Sequence, residues 1–538
     1  MRRYTNPILS GFHPDPTICR VGDDYYLVNS SFEYCPGLPI FQSRDLIHWR
    51  LIGHALTRPT QLFLQDSRPS GGIYAPTLRF HQGTFYLITT NVSHKGNFVI
   101  TAADPAGPWS DPVWIENAEG IDPSLFFDDN GRCYYVGNGN PEHSLYDGHH
   151  TIWLQEMDLT SLQLIGDKRV IVDGGSDISK KPIWIEGPHL YKIDGRYYLF
   201  AAEGGTEENH SEVVFRSEKV TGPYESFTGN PILTNRDIDQ SRPFPITCTG
   251  HADLVQTQIG EWWMVLLACR PYAPFDENYF NIGRETFLIP ISWQDGWPIV
   301  ADGSRRVTYS YPAPELPESL WNDGYGDGNF AFREEFEKPN LPGIWNTIRE
   351  PGDDWHSLTA RPGYLRIQPR LEELTGPGSP SFVGVRQRHI SFTAETAMEF
   401  EPSNEWELAG LAVQQNNRAY YALVCGRSGD KHVVRLMKKS ADGALEVRYE
   451  AAVSSGPIHF KVAAKGRDYS FFYREQNEPW RCMANDENGR ILSTRSAGGF
   501  VGAYIGLYAT SSGQSSTNHA DFDGFSYQGQ DEIFESNL

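Results

Sequence analysis

Residues 14–28 read PDPTICRVGDDYYLV: a Pro-Asp-Pro start, a short apolar run, a Gly-Asp turn, then an aromatic pair that opens a second apolar run. A Gly/Asp turn between β-branched and aromatic runs is a hairpin signature. The turn and its following strand return four more times, as GTFYLI at 83–88, GRCYYV at 131–136, GRYYLF at 195–200 and GEWWMV at 260–265. Counted from the second residue of each pair (Tyr26, Tyr86, Tyr134, Tyr198, Trp263), the spacings are 60, 48, 64 and 65 residues. These are lengths of four-stranded blades with loops of varying size. Five blades closed around a channel is the expected architecture; a set of unrelated hairpins in a β-sandwich is the alternative.

The rest of the chain agrees with an all-β reading. Its 538 residues carry 51 Gly and 36 Pro, and 13% are aromatic, which suits strands and tight turns better than long helices. Hydrophobic content of 39% at this length builds real cores and excludes disorder, collagen and coiled coil. The net charge of −22 repels phosphate backbones and anionic lipids, so no nucleic acid and no membrane are expected as partners. No apolar run approaches the length that spans a bilayer. Seven cysteines without a C-x-x-C pair suit reduced thiols, and the opening MRRYTNPILSGFHPDP lacks an apolar h-region, so a cytoplasmic location is the expectation.

Eleven or twelve residues before each aromatic pair, where the preceding strand should begin, stand Asp15 in HPDP, Tyr74 with Ala75 and Pro76 in GGIYAP, Asp122 in GIDPS, Glu186 in IEGPHL and His251 in GHAD. If the innermost strand of each blade lines the channel, these positions converge at one mouth. Like charges brought together in this way repel, and their burial costs stability unless function or a partner compensates. Two carboxyls facing a glycosidic bond can hydrolyse it, and a third can keep the acid protonated. A hard cation such as Ca²⁺ is the alternative occupant, although the chain has no D-x-[DN]-x-[DN]-G loop. His143, His149 and His150 in EHSLYDGHH have no regular ligand spacing, and an exposed loop on the leaving-group side is expected there.

The opening stretch NPILSGFHPDPTICRVGDDYYLVNSSFEYCPGLPIFQSRDLIHW resembles glycoside hydrolase family 43, as do GGIYAPTL, GIDPSLF, IEGPHLY, EGGTEENHSE, TGHADLVQ and IGRETF. The order of these motifs over the whole chain is similar to the two-domain β-xylosidase and α-L-arabinofuranosidase branch. The N-D-P-N-G, R-D-P and E-C-P motifs of sucrose-cleaving relatives are missing. The resemblance implies that Asp15 is the general base, Glu186 the general acid, and Asp122 the group that positions Glu186 and raises its pKa. By the same resemblance Arg284 binds a sugar hydroxyl, while Phe32, Tyr74 and Thr206 shape the sugar pocket; His251 is read as a core histidine, a substrate-binding residue of the site or a neighbour of a central ion. The resemblance also implies a possible calcium ion in the propeller channel beside His251, held mainly through water, with no cofactor required for the chemistry. Family members often carry Trp where Tyr74 stands, a change that bears on pocket width and sugar preference. Inversion, which the family uses, requires an Asp15–Glu186 carboxyl separation of roughly 6.5–9.5 Å.

After ISWQDGWPIV a stretch rich in Pro, Gly and Asp reads as a linker. Then come alternating runs such as AYYALVCG, HVVRLMKK, IHFKVAAK and YIGLYATS, the pattern of an antiparallel sandwich. The expected division is a catalytic five-bladed propeller at 1–305, a linker at 306–329 and a β-sandwich at 330–538, with FREEF and DFDGFSY pairing as terminal strands. By resemblance the sandwich is concanavalin-like, and Phe500 in GGFVGAY reaches into the propeller mouth to close one end of the pocket. The functional expectation is an inverting exo-glycosidase releasing β-D-xylose, with α-L-arabinofuranose as a second or the main product, from small oligosaccharides. A homo-oligomer, dimer or tetramer, is implied by resemblance, and a non-catalytic carbohydrate-binding propeller is the rival reading.

Overall fold

The computed structural model describes residues 2–275, 277–319, 321, 328–351 and 354–535. Five four-stranded antiparallel sheets follow one another in sequence. They run from Thr17–Val21 to Arg50–Leu56, Thr77–His81 to Val113–Trp114, Ser124–Phe127 to Gln163–Asp173, Glu186–Ile193 to Glu225–Ser226, and Thr247–Gln256 to Trp297–Val300. Each is contiguous in sequence, so each repeat of the aromatic pair builds one blade. The innermost strand of the first blade touches those of both the second and the fifth, which closes the ring. The N-terminal segment reinforces that seam. Arg3–Thr5 pairs with Ser310–Pro312, Leu9 bridges Thr286, and Asn6 exchanges side-chain hydrogen bonds with the Leu288 backbone at 2.8 and 2.9 Å. The stretch expected as linker, 306–329, thus contributes a strand to the propeller seam, and its residues 320 and 322–327 lie outside the described residues.

The second half is a sandwich of two antiparallel sheets. In one, Phe392–Glu399 and Ile458–Lys465 alternate buried and half-buried residues, as a sheet with one solvated face must. In the other, Leu408–Asn416 is buried throughout and Ala419–Ser428 over its first eight residues. The reason is that this sheet is covered on both sides. Ala409, Leu411, Val413, Tyr421 and Leu423 face the sandwich core, while Leu408, Ala412, Tyr420, Ala422 and Val424 pack with Phe12, Phe32 and Tyr34 of the propeller. FREEF and DFDGFSY do pair, with Phe332 opposite Tyr527 and Glu334 opposite Phe525.

Polar contacts fix the angle between the two halves. Thr347–Ile348 forms a two-stranded ribbon with Tyr34–Cys35, and Tyr34 stacks on Tyr504 with ring centroids 3.9 Å apart. Arg386 donates to Phe12 O at 2.8 Å and Arg388 to Ser10 O at 3.1 Å. Arg270, fully buried, pairs with Glu285 at 2.7 Å and with Asp531, near the C-terminus, at 2.9 Å. Removing one partner from such a buried ionic group costs about 3–5 kcal/mol. The interface therefore holds the sandwich rigidly against the mouth of the channel.

Candidate active site

Strand pairing gives a common reference for the five innermost strands. Cys19, Arg79, Phe126, Tyr191 and Val255 each face the second member of their blade's aromatic pair. Alternation places residues two and four positions earlier on the same, channel-facing side. Two earlier stand Thr17, Thr77, Ser124, His189 and Asp253; four earlier stand Asp15, Ala75, Asp122, Gly187 and His251. The upper ring therefore carries two of the expected acids and the histidine. By count Glu186 and Tyr74 fall one residue before it, but an extra residue between Glu186 and His189 sets Glu186 opposite Ala202, four residues beyond Tyr198. A register shift between Glu186 and His189, with Gly187 at φ 56°, turns the Glu186 side chain into the site. Asp15, Asp122 and His251 likewise have left-handed backbones, at φ 51°, 53° and 53°. Such conformations are uncommon for residues with side chains, and they cluster at functional sites.

The lower ring is a stitched plug. Asp253 accepts from Thr17 Oγ1 at 2.7 Å, from the Ile18 amide at 3.0 Å and from Arg79 at 2.9 and 3.1 Å, and the Tyr191 hydroxyl donates to it as well. Arg79 also reaches His189 Nδ1 at 3.0 Å. Burial pushes the Asp253 carboxyl up, but Arg79, His189 and Tyr191 reverse that and hold it below the usual carboxylate range. One carboxylate thus ties together strands of the first, second, fourth and fifth blades beneath the mouth.

Above this plug the three acids are buried: Asp15 is 4%, Asp122 7% and Glu186 8% exposed. Asp15 accepts from Ser30 Oγ at 2.5 Å on one oxygen and from Arg284 at 3.0 Å on the other. Burial first, and the Asp15 charge second, push the Glu186 carboxyl up to about 7, with Arg284 pulling the other way. Burial and the charges of Glu186 and Asp15 drive Asp122 well above the usual range, against Arg284 and the Ala75 amide. Glu186 and Asp122 therefore hold protons that isolated carboxyls would have lost at neutral pH.

Aromatic rings wall the pocket. Phe32 and Tyr74 lie 5.0 Å apart, and Phe500 is 6.4 Å from each. The Arg284 guanidinium sits 5.7 Å from the centroids of both Phe32 and Phe500, between propeller and sandwich. The Phe500 loop is held by a bracket with no signal in the sequence. Ser70 Oγ accepts from the Phe500 amide at 2.9 Å, Tyr74 donates to Ser70 O at 3.1 Å, and the Ser70 amide donates to Glu33 at 3.0 and 3.1 Å. Burial pushes Glu33 up to about 7. Phe500 is 38% exposed, so its ring is a wall of the pocket and not part of the sandwich core. Phe500→Ala should lower kcat/KM on short substrates about tenfold, or ~1.4 kcal/mol of aromatic contact, while melting close to the parent temperature. Steady-state kinetics beside a melting curve reads both, and an unaltered kcat/KM would remove Phe500 from the pocket.

Thr206 is half-buried in the loop after Arg196–Glu203, at the same mouth end. The expectation of an exposed histidine loop at 143–150 is corrected in part. His143 is exposed, but His149 is 3% exposed, stacks on Tyr146 and reaches Asp173 at 2.8 Å, which folds the loop down. The described side chains supply no direct cluster for calcium, and an ion held mainly through water beside His251 stays an expectation. Among the described residues no three His, Cys, Asp or Glu side chains converge as metal ligands. His251 Nδ1 stands 3.9 Å from Asp15 Oδ1, which already accepts from the Arg284 cation, and Gly187 packs against the ring.

The family description "Glycosyl hydrolases family 43" matches residues 4–298, the whole propeller with its ring of acids. The chain belongs to glycosyl hydrolase family 43. It is a glycoside hydrolase. A second description, "Beta xylosidase C-terminal Concanavalin A-like domain", matches residues 333–528 of this family 43 chain. It is 42% identical over 527 residues, 97% of this chain and 99% of the other, to the "Xylosidase/arabinosidase" of Butyrivibrio fibrisolvens. It is 40% identical, over 98% of this chain and 95% of the other, to a "Non-reducing end alpha-L-arabinofuranosidase" of Bacteroides ovatus. Among solved structures, the xylan beta-1,4-xylosidase of Bacillus halodurans C-125 superposes with a TM-score of 0.89 at 34% identity, covering 98% of this chain and all of that one.

Proposed function

We propose that this family 43 hydrolase removes single β-D-xylose units, and also α-L-arabinofuranose, from the ends of short oligosaccharides, with inversion. The observation that carries the reading is the division of labour among buried acids at one mouth. Asp15 offers acceptor oxygens, held by Ser30 and Arg284, whereas Glu186 keeps its proton toward neutrality. Asp15 takes a proton from a water whose oxygen attacks the anomeric carbon, and Glu186 gives its proton to the departing glycosidic oxygen. Asp122, buried beside Glu186 and held by the Ala75 amide, positions it; Arg284 binds a ring hydroxyl of the sugar. Tyr74, Phe32 and Phe500 close the pocket against a continuing chain, which favours attack at chain ends. The names of the relatives support both pentoses.

Side-by-side hydrolysis of nitrophenyl β-D-xylopyranoside and nitrophenyl α-L-arabinofuranoside, with xylobiose as natural substrate, tests the assignment. Faster xyloside turnover with α-xylose as first product supports it. Arabinoside turnover alone would make the second sugar the main one, and a β-configured first product would exclude inversion. The pH profile is a separate check. Glu186 must be protonated to act, so kcat/KM on xylobiose should fall above about pH 7, tenfold per further pH unit. A profile flat to pH 9 would remove Glu186 as the acid.

Two further expectations remain proposals. The seven cysteines are all unpaired, six of them buried, which supports a reducing, cytoplasmic setting. The edge strand Glu446–Val453 exposes Val447 and Tyr449, which supports contact between copies, to be measured by light scattering.

A further inference from the structure

Two residues before Glu186, Trp184 is strained and exposed. Its backbone is left-handed at φ 51°, an outlier for so bulky a side chain, and its side chain leaves the residue 47% exposed. Strain of this kind persists only where the surroundings enforce it. Here they do. A Cβ added at Gly205 would sit 2.9 Å from indole Cε3, and one at Gly148 would sit 3.3 Å from Nε1, so the ring lies in a slot that only glycines leave open. The Trp184 amide donates to Gly148 O at 2.8 Å, and the Gly204 amide donates to Ile183 O at 2.9 Å. Gly148 precedes Thr151–Asp158 and Gly205 follows Arg196–Glu203, so both loops lie at the mouth end of the third and fourth blades. Leu145 and Ile178, on the loops that carry Gly148 and Trp184, are exposed apolar side chains at 67% and 39%.

We propose that Trp184 is the platform of a leaving-group subsite, on which the departing sugar lays the apolar face of its ring. This deepens the function proposed above and rests on it. The acid must reach the oxygen that joins the two sugars, so the ring on the far side of that oxygen leaves past Glu186. Two residues of chain span at most about 7 Å, so the backbone that anchors the indole lies within about one sugar's length of the acid's own. An exposed, immobilised aromatic face is matched to the C–H face of a pyranose. The pocket walls Phe32, Tyr74 and Phe500 hold the other sugar.

The test compares two substrates that share the sugar released and differ in what leaves: xylobiose, which leaves a sugar, and β-D-xylosyl fluoride, which leaves one atom. In Trp184→Ala the ratio of kcat/KM for xylobiose to that for the fluoride should fall at least tenfold. Trp184→Phe, which keeps a ring, should restore most of the ratio. A ratio unchanged within twofold in Trp184→Ala, or a parallel fall on both substrates, would overturn the subsite. The parent enzyme separates this from the underlying reading: if it cleaves neither substrate, the glycosidase assignment to xylosides fails first and the subsite with it.

Discussion

Replacing Glu186 by alanine should slow xylobiose hydrolysis by roughly 10³-fold or more, at the upper end of what a general acid contributes. The same variant should lose far less on the nitrophenyl xyloside, because nitrophenolate departs readily without a proton whereas a sugar alkoxide does not. The contrast between the substrates is the signature, since a misfolded site would lose both alike. The alkaline limb of the pH profile should vanish together with the group that titrates near 7. Folding is not at stake. Glu186 enters its strand at a bulge and its carboxyl is costly to bury, so its removal relieves repulsion from Asp15. Equal losses on good and poor leaving groups would transfer the acid's role to another residue.

The second large effect belongs to Asp15. Asp15→Asn should reduce turnover by about 10³–10⁴-fold on every substrate, because water activation is needed whatever departs. It should also move the Glu186 limb to lower pH. The Asp15 charge is the second contributor raising the Glu186 pKa, so removing it lets Glu186 ionise earlier. Residual activity on xylobiose, followed between pH 5 and 8, reads this shift. Azide added to Asp15→Ala should restore turnover and yield an α-xylosyl azide, the nucleophile having taken the place of the activated water. A limb that stays in place, or an azide product of β configuration, would sink the base assignment.

Much of this could be read from the sequence because two periodicities overlap. The aromatic pairs recur once per blade and the inner strands alternate with period two, so Asp15, Asp122 and His251 could be placed at one mouth by counting. The same count reaches Glu186, twelve residues before Tyr198, but the bulge before His189 that turns its side chain into the site cannot be read from spacing. The Arg79–Asp253 plug left only a faint mark, a charged residue in the middle of each of two apolar strands. Ser70 and Glu33 left none, since their role depends on a loop 430 residues further along the chain meeting Ser70. The sandwich strands were legible as strands, yet the burial of one sheet on both faces depends on the propeller beneath it.

The contact of Arg270 with Asp531 spans 261 residues, and that of Arg284 with the Phe500 loop spans 216. At synthesis rates of about 5–20 residues per second, roughly 10–50 s pass between the making of each propeller arginine and the making of its partner. The nascent chain carries its acids early and its pocket wall last. A chain interrupted before Phe500 has the reactive groups without the wall that the second domain adds to the pocket. Synthesis of the second domain is thereby built into the enzyme as a condition of its specificity.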